Sequence, residues 1–116
     1  MSFQIKRVYE EASSRDGQRI LIDRVWPRGL KKADAALDGW MKGVAPSVPL
    51  RRWFAHDPER FTEFKRKYKA ELARNPALAP LRQLGKTKRV TLLYAAHDPL
   101  INHAVVLKSV LQGRPS

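Results

Sequence analysis

Two mainly apolar segments constrain the fold of this chain more than any other feature. The first runs from Ile20 to Ile22 and leads into Asp23, and the second runs from Val90 to Tyr94 and leads towards His97 and Asp98. Strands without apolar–polar alternation are typical of parallel sheets covered on both faces. Since open α/β sheets bind ligands outside the carboxyl ends of their strands, the polar residues after both segments predict a site at that edge.

Composition indicates one globular domain without disulfides. The 116 residues are 43% hydrophobic and 29% charged, and we expect a single domain over residues 1–116. The absence of cysteine excludes disulfides, thiolate nucleophiles and zinc–cysteine sites. No apolar segment approaches the ~20 residues that cross a bilayer, and the first residues lack the apolar core of a signal peptide. We therefore expect a cytoplasmic protein that does not contact membranes.

Local patterns predict the order β-β-α-α-α-β-α. Strands are expected at residues 3–9, 19–24 and 89–95, which are β-prone. A helix is expected over 32–43, where Ala33, Leu37 and Trp40 share one apolar face. Shorter helices are expected at 50–54 and 77–84, and loops at 45–49 and 85–88.

The tripeptide His-Asp-Pro occurs at 56–58 and again at 97–99, each time before an amphipathic segment. Asp is a good helix N-cap and Pro suits the first helical position, so Asp57 and Asp98 are interpreted first as caps. The two helices should bury these apolar residues: Phe61, Phe64, Tyr68 and Leu72 in the first, and Val106, Leu107, Val110 and Leu111 in the second.

Motifs along nearly the whole chain resemble the YeaO-like branch of domain-of-unknown-function family 488. The matching segments include Asp16-Gly17-x-Arg19, Asp23-Arg24-x-Trp26-Pro27-Arg28-Gly29, Trp40-x-Lys42, Ala45-Pro46-Ser47, Leu50-Arg51-x-Trp53-Phe54, Leu92-Leu93-Tyr94-Ala95-Ala96 and Asn102-His103-Ala104. The resemblance implies an α/β fold with a small, mostly parallel sheet of three or slightly more strands, flanked by helices. Other branches of the family have cysteines at the positions that correspond to Tyr94 and Asn102 of this chain. Because both cysteines are replaced here, the resemblance implies no thiol chemistry.

The connection between the first two predicted strands gives two conflicting indications. It spans only residues 10–18, fewer than the dozen or so that a parallel crossover needs, and this favours a hairpin. The family resemblance implies instead a shortened crossover between parallel strands.

The residues after the apolar segments are candidates for chemistry or binding. Arg24 and Arg28 suit bidentate recognition of phosphate or carboxylate, or they form ion pairs, Arg24 with Asp98 and Arg28 with Asp38. Asp23 and His103 suit acid–base chemistry. Alternatively, Asp23 is the buried partner of an arginine, and His103 is held by a structural hydrogen bond. The candidate catalytic residues are Asp23, Asp98 and His103, and the candidate ligand-binding residues are Arg24, Trp26, Arg28, Ser47, Arg51, His56, Tyr94 and Asn102. No metal site is expected, because the histidines lack ligand spacing, and no cofactor is indicated.

The net charge of +12 supports two hypotheses of function. In the first, a small phosphate- or carboxylate-bearing ligand binds at the carboxyl edge of the sheet, with or without thiol-independent catalysis. In the second, residues 60–89, with ten Lys/Arg against Glu63 and Glu71, bind nucleic acid. That interface would use Lys65, Arg66, Lys67 and Lys69, with Trp53 and Tyr68 as stacking groups. A protein that binds only other proteins is a third possibility.

Overall fold

The computed structural model of the protein contains one four-stranded parallel sheet and describes residues 2–113. Residue 1 and residues 114–116, which the predicted domain includes, lie outside the described residues. The strands are β1 (Ser2–Arg7), β2 (Gln18–Leu21), β3 (Gly39–Trp40) and β4 (Arg89–Tyr94). Their order is β1-β4-β2-β3, and all three pairings are parallel. The expected α/β fold with a small parallel sheet is therefore confirmed.

Five helices accompany the sheet in the part of the chain that the structure describes. They are α1 (Lys32–Ala35), α2 (Val48–Phe54), α3 (Phe61–Ala73), α4 (Leu78–Thr87) and α5 (His103–Leu111). None of them is long and apolar enough to cross a membrane.

The position of β4 settles the conflict over the first connection. β4 lies between β1 and β2, with Phe3 opposite Val90 and Ile20 opposite Leu92. The hairpin suggested by loop length is wrong, because the segment 8–17 passes from one neighbour of β4 to the other. The central position also explains why residues 90–94 are buried throughout.

The two faces of the sheet are covered differently. One face carries the main core, in which β-strand residues such as Val90 and Leu92 pack against helix residues such as Phe64, Tyr68 and Leu107. On the other face, a smaller cluster packs against the irregular segment that follows β2; its members are Val8, Leu21, Leu93, Trp26, Leu30, Leu37, Trp40 and Ala95. Helices therefore cover mainly one face.

The helix predicted over 32–43 is wrong. Only α1 forms, and Ala36 ends it in the left-handed conformation with φ of 47°. The Arg19 guanidinium binds the carbonyl oxygens of Ala35 and Ala36, which have no helical partner. Gly39 and Trp40 then pair with β2 as the edge strand. Trp40 is thus half-buried because of sheet packing rather than helical periodicity.

The loop predicted at 85–88 is also wrong, because α4 continues to Thr87. Gly85 lies so close to β1 that a Cβ atom there would be 2.1 Å from Cζ of Phe3. Glycine is therefore needed for helix-to-strand contact, and it is not the loop signal that the sequence suggested.

Replacing Gly85 by alanine is expected to destabilise the protein by about 1–3 kcal/mol, because the added methyl group overpacks the Phe3 site. Alanine is the better helix former by about 1 kcal/mol, so the sign of the effect separates packing from propensity. Urea unfolding measures it. Gln83→Ala, at an exposed position of the same helix, serves as control and should change stability little; a stabilised Gly85→Ala protein would contradict the close contact.

The two His-Asp-Pro aspartates cap different structures. Asp57 accepts the N–H of Glu59 and begins a single 3-10 turn before α3. Asp98 accepts the N–H groups of Leu100 and Ile101, whereas the N-cap of α5 is Asn102. The second repeat therefore forms a turn ahead of the helix instead of starting it.

A buried charge network holds the amino end of the sheet. The Asp16 carboxylate contacts Arg19 at 2.5 Å and Lys6 at 3.2 Å, and the Asp16 and Arg19 side chains are each 5% exposed. Burial by itself would raise the pKa of Asp16, but hydrogen bonds from the Ser13 N–H, Arg19 and Lys6 lower it below its ordinary value. The carboxylate therefore stays ionised where the sheet begins.

Candidate functional site

A cavity of about 720 Å³ opens at the carboxyl edge of the sheet. Its floor includes Asp23 and Arg24, which follow β2, and Ala95 and Ala96, which follow β4. The segment 24–28, α2, α3 and the start of α5 supply its walls. The volume is in the range of sites for small molecules, about 300–1,000 Å³.

Eight of the eleven predicted site residues line this cavity: Asp23, Arg24, Arg28, Arg51, His56, Asp98, Asn102 and His103. The other three have structural positions. Trp26 donates to the Leu30 carbonyl and packs edge-on against Trp40 on the far face. Ser47 caps α2 and donates to Glu71 of α3 at 2.5 Å. Tyr94 is buried, and burial raises the pKa of its hydroxyl, which therefore stays protonated.

Arg24 holds one wall of the cavity together. Its guanidinium donates to the carbonyl oxygens of Ala45 and Pro46 at 3.2 Å. It forms no ion pair with Asp98 among the described residues, so that predicted pairing is wrong. The other suggested pairing, of Arg28 with Asp38, is also absent there, because Asp38 accepts the backbone N–H of Arg19.

Asp23 and His103 meet in the cavity floor. Asp23 Oδ2 accepts the N–H of Ala95 at 3.1 Å, which ties the ends of β2 and β4 together. His103 Nε2 lies 3.2 Å from the Ile22 carbonyl oxygen, so this nitrogen carries the proton in the neutral imidazole. The same nitrogen is 3.1 Å from Asp23 Oδ1. That contact lacks hydrogen-bond geometry, and Oδ1 is a buried acceptor without a hydrogen-bond partner in the described chain. Asp23 is thus a partner of histidine rather than arginine.

Asp98 and Asn102 shape the loop between β4 and α5. Asp98 is bonded to two backbone N–H groups of its own turn, and Asn102 donates to the Asp98 carbonyl at 2.8 Å. Asn102 also accepts the N–H of Val105 as the helix cap. Both side chains line the cavity, but their hydrogen bonds keep the loop in place.

Three basic side chains of the cavity, Arg28, Arg51 and His56, form no hydrogen bond or ion pair with the described residues. Arg28 and Arg51 are exposed, and neither guanidinium has a hydrogen bond or ion pair within residues 2–113. In the described part of the chain, the His56 imidazole makes only a ring contact, with its centroid 6.1 Å from that of Phe54. Asp98 and one carboxylate oxygen of Asp23 thus accept backbone N–H groups, whereas these three outer basic side chains are available to a ligand.

The backbone that positions His56 is strained. Ala55 and His56 follow α2 with φ values of 46° and 57°, two consecutive left-handed residues that are not glycine. Such a conformation costs roughly 1–2 kcal/mol per residue. Strain of this kind clusters at ligand-binding positions, so it marks the turn as a functional candidate.

Ala55→Gly is expected to stabilise the protein by about 0.5–1 kcal/mol, because glycine adopts the left-handed conformation after a helix without strain. Thermal or urea unfolding provides the measurement. The matched control is Ala73→Gly at the exposed end of α3, which should destabilise by about 0.5–1 kcal/mol. Equal losses in both variants would show that residue 55 is not strained.

Several cavity residues escaped sequence reasoning. Tyr9 follows β1 at the same edge, and its hydroxyl donates to the Arg28 carbonyl at 2.6 Å. The rule that selected residues after the other strands applies equally to Tyr9. Phe64 was expected only in the core and Phe54 only in a short helix, yet both rings also form the apolar wall. His97, in contrast, is one of the polar residues after β4 that predicted a site at this edge; it accepts a contact from Arg7 at 3.3 Å and lines the mouth of the cavity.

The cations of residues 60–89 do not form one surface around the cavity. Lys65 lies over the Phe61 ring, Lys67 over the Trp53 ring, and Arg66 pairs with Glu63. Arg89 begins β4 at the opposite edge of the sheet, about 20 Å from the cavity at the usual strand rise.

The two predicted stacking groups are not available as proposed. Tyr68 is fully buried, and its hydroxyl donates to the Val44 carbonyl at 2.5 Å. Both Arg60 and Lys67 lie over the Trp53 ring, at 5.4 and 4.6 Å from its centroid. In the described residues, no group of three or more His, Cys, Asp or Glu side chains is placed to hold a metal ion.

Comparison with known proteins gives a consistent result. A family model, DUF488-N3i, described as the inactive DUF488-N3 subclade, matches residues 2–115. An uncharacterised protein of Mycobacterium tuberculosis strain H37Rv is 46% identical over 96% of this chain and 94% of its own length. The uncharacterised protein YeaO of Escherichia coli K12 is 44% identical over 97% of this chain and 99% of its own. No solved structure gives a significant match.

Proposed function

Because the chain belongs to the DUF488-N3i family, whose description is of an inactive subclade, we propose that it binds a small anionic ligand without transforming it. The ligand carries a phosphate or carboxylate group and occupies the cavity at the carboxyl edge of the sheet. One observation carries this proposal: Arg28, Arg51 and His56 line the cavity without a hydrogen bond or ion pair in the described residues, whereas Asp23 and Asp98 are hydrogen-bonded.

The backbone contacts of the candidate catalytic residues support ligand binding more than catalysis. The candidate catalytic residues Asp23, Asp98 and His103 each hold a backbone group of the cavity wall. An acid or base for proton transfer needs to reach its substrate, and these contacts compete with that role. Guanidinium groups without partners instead suit bidentate recognition of an oxyanion.

A thermal-shift screen with phosphates, carboxylates and neutral analogues tests the proposal. A ligand at about 100 times its dissociation constant adds about 2.7 kcal/mol of stability, which gives a readable increase in Tm. Arg28→Ala should remove most of that increase, because charge-assisted hydrogen bonds contribute about 1.5–3 kcal/mol each. Arg52→Ala removes an exposed charge of α2 outside the cavity and should leave the increase unchanged. Equal losses in both variants would point to nonspecific charge.

Nucleic-acid binding through Lys65, Arg66, Lys67 and Lys69 stays a prediction, and a short oligonucleotide belongs in the same screen. Under that alternative, stabilisation would fall steeply with salt. It would also persist in Arg28→Ala and disappear when Lys65, Lys67 and Lys69 are replaced by glutamate.

A further inference from the structure

We infer that the anionic group of the ligand is a phosphomonoester dianion bound by Arg28, Arg51 and His56, with its organic part against Phe54 and Phe64. This inference rests on the proposed function, and it narrows the ligand from any small anion to one chemical class. Three observations carry the inference: the charge of the basic side chains, their fixed backbones, and the apolar wall beside them.

The first argument is charge balance. Arg28 and Arg51 are permanently charged, come from different elements and line one cavity without a partner in residues 2–113. A carboxylate supplies one negative charge, whereas a phosphomonoester carries about 1.5 to 2 at neutral pH and offers three acceptor oxygens. Two guanidinium groups and one imidazole therefore match the phosphomonoester in both charge and hydrogen-bond number.

The second argument is that all three donors have anchored backbones. Tyr9 donates to the Arg28 carbonyl, which ties the segment after β2 to the end of β1. Arg51 belongs to α2, whose N-cap Ser47 is bonded to Glu71 of α3. His56 is held by the strained left-handed pair that ends α2. Backbones fixed in this way reduce the ordering cost of binding.

The acids of the cavity do not oppose a dianion strongly. Asp23 Oδ2 accepts the Ala95 N–H, Asp23 Oδ1 is buried beside His103 without a hydrogen bond in the described residues, and Asp98 accepts two N–H groups. Backbone donors offset carboxylate charge locally.

The apolar wall indicates that the phosphate is attached to an organic group. Phe54 and Phe64 stack with their centroids 4.2 Å apart, and both line the cavity. Ile101 adds an aliphatic surface. Most of both ring surfaces is packed in the core, but the ring edges that line the cavity, together with Ile101, would stay without an apolar partner if inorganic phosphate bound alone, so an organic phosphate should bind more tightly.

Amide NMR titration of the full chain tests the inference with four probes: inorganic phosphate, phenyl phosphate, a nucleoside monophosphate and benzoate. Each is raised to about 10 mM, which detects even weak binding. At least one organic phosphate should shift the signals of residues 28, 51 and 54–56, and bind at least about tenfold more tightly than benzoate. Arg51→Ala should weaken it about tenfold or more, whereas Arg52→Ala, one residue along the same helix, should not.

The outcomes separate the inference from the proposed function. If benzoate binds as tightly as the phosphates and shifts the same residues, the phosphomonoester assignment is overturned while anion binding stands. If none of the probes shifts residues 28, 51 or 54–56, the assignment is overturned together with the site. A final pair of probes is one oligonucleotide with and without a 5′-phosphate. This pair shows whether the bound phosphate belongs to a free small molecule or to the end of a nucleic-acid strand. Shifts of these residues only by the phosphorylated strand support the assignment with a nucleic-acid source.

Discussion

Replacing Asp16 by asparagine should lower the free energy of unfolding by about 3–5 kcal/mol, the usual loss when one partner of a buried ion pair is removed. The Arg19 guanidinium would stay buried without its carboxylate, and Lys6 would lose its ion pair and keep only the Glu11 carbonyl oxygen. Asparagine has nearly the same shape, so the loss comes from charge and not from packing. Urea unfolding at neutral pH gives the value, and Asp34→Asn, at an exposed position of α1, should change it by less than about 0.5 kcal/mol.

The pH dependence of the same variant gives a second readout. The folded protein lowers the pKa of Asp16 below the ordinary 3.8, so its carboxylate contributes stability that is fully present above that value. The contribution is lost as the pH falls through the lower folded pKa. The difference between the two proteins should therefore be constant near neutrality and shrink below about pH 3.8. A pH-independent difference would mean that altered hydrogen bonding, not charge, causes the loss.

Phe64→Ala should cost about 3–5 kcal/mol, because it removes a buried aromatic ring at the centre of the main core. Phe64 stacks on Phe54 and also contacts Phe61 and Tyr68, with ring centroids 6.1 and 5.6 Å away. The residue is only 1% exposed, so truncation removes a ring that is almost wholly packed. The measurement is again urea unfolding, with the neighbouring exposed Thr62→Ala as control.

The same substitution affects the cavity. Phe64 belongs to its apolar wall, so Phe64→Leu, a milder change, should retain the fold and weaken an organic ligand more than inorganic phosphate. Equal weakening of both ligands would show that the ring affects the basic groups and not the organic part. A loss below about 1 kcal/mol in Phe64→Ala would contradict the central position of the ring.

The sequence predicts the buried elements of this fold better than the irregular ones. Mainly apolar runs correctly indicate β2 and β4, because strands covered on both faces are rich in apolar residues, with buried Arg19 and Thr91 as polar exceptions. The spacing of Ala33, Leu37 and Trp40 misleads, because Leu37 and Trp40 are partly buried against a sheet face that the spacing does not reveal. The role of Gly85 is also invisible to local patterns. Glycine is needed there because the Phe3 ring, eighty-two positions earlier in the chain, lies too close for a Cβ atom.

The candidate site shows the same division. The carboxyl-edge rule brings together eight predicted residues in one cavity, since it follows from strand direction alone. Trp26, Ser47 and Tyr94 were chosen from motifs, and their contacts are made with the opposite face, with α3 and with the core. The cavity carboxylates accept hydrogen bonds, whereas Arg28 and Arg51 have no partner in the described residues. This difference depends on three-dimensional contacts, which residue spacing in the sequence does not predict.

The central position of β4 has a consequence for how the protein is made. β1 and β2 are synthesised first, yet each has β4 as a neighbour, and β4 comprises residues 89–94. The nascent chain therefore exposes the edges of its early strands until the last strand has been translated. Such long-range parallel pairing slows folding and exposes apolar strands to aggregation. Ribosome stalling before residue 89 should thus yield protease-sensitive products that lack both pairings with β4, even though more than three quarters of the sequence has been translated.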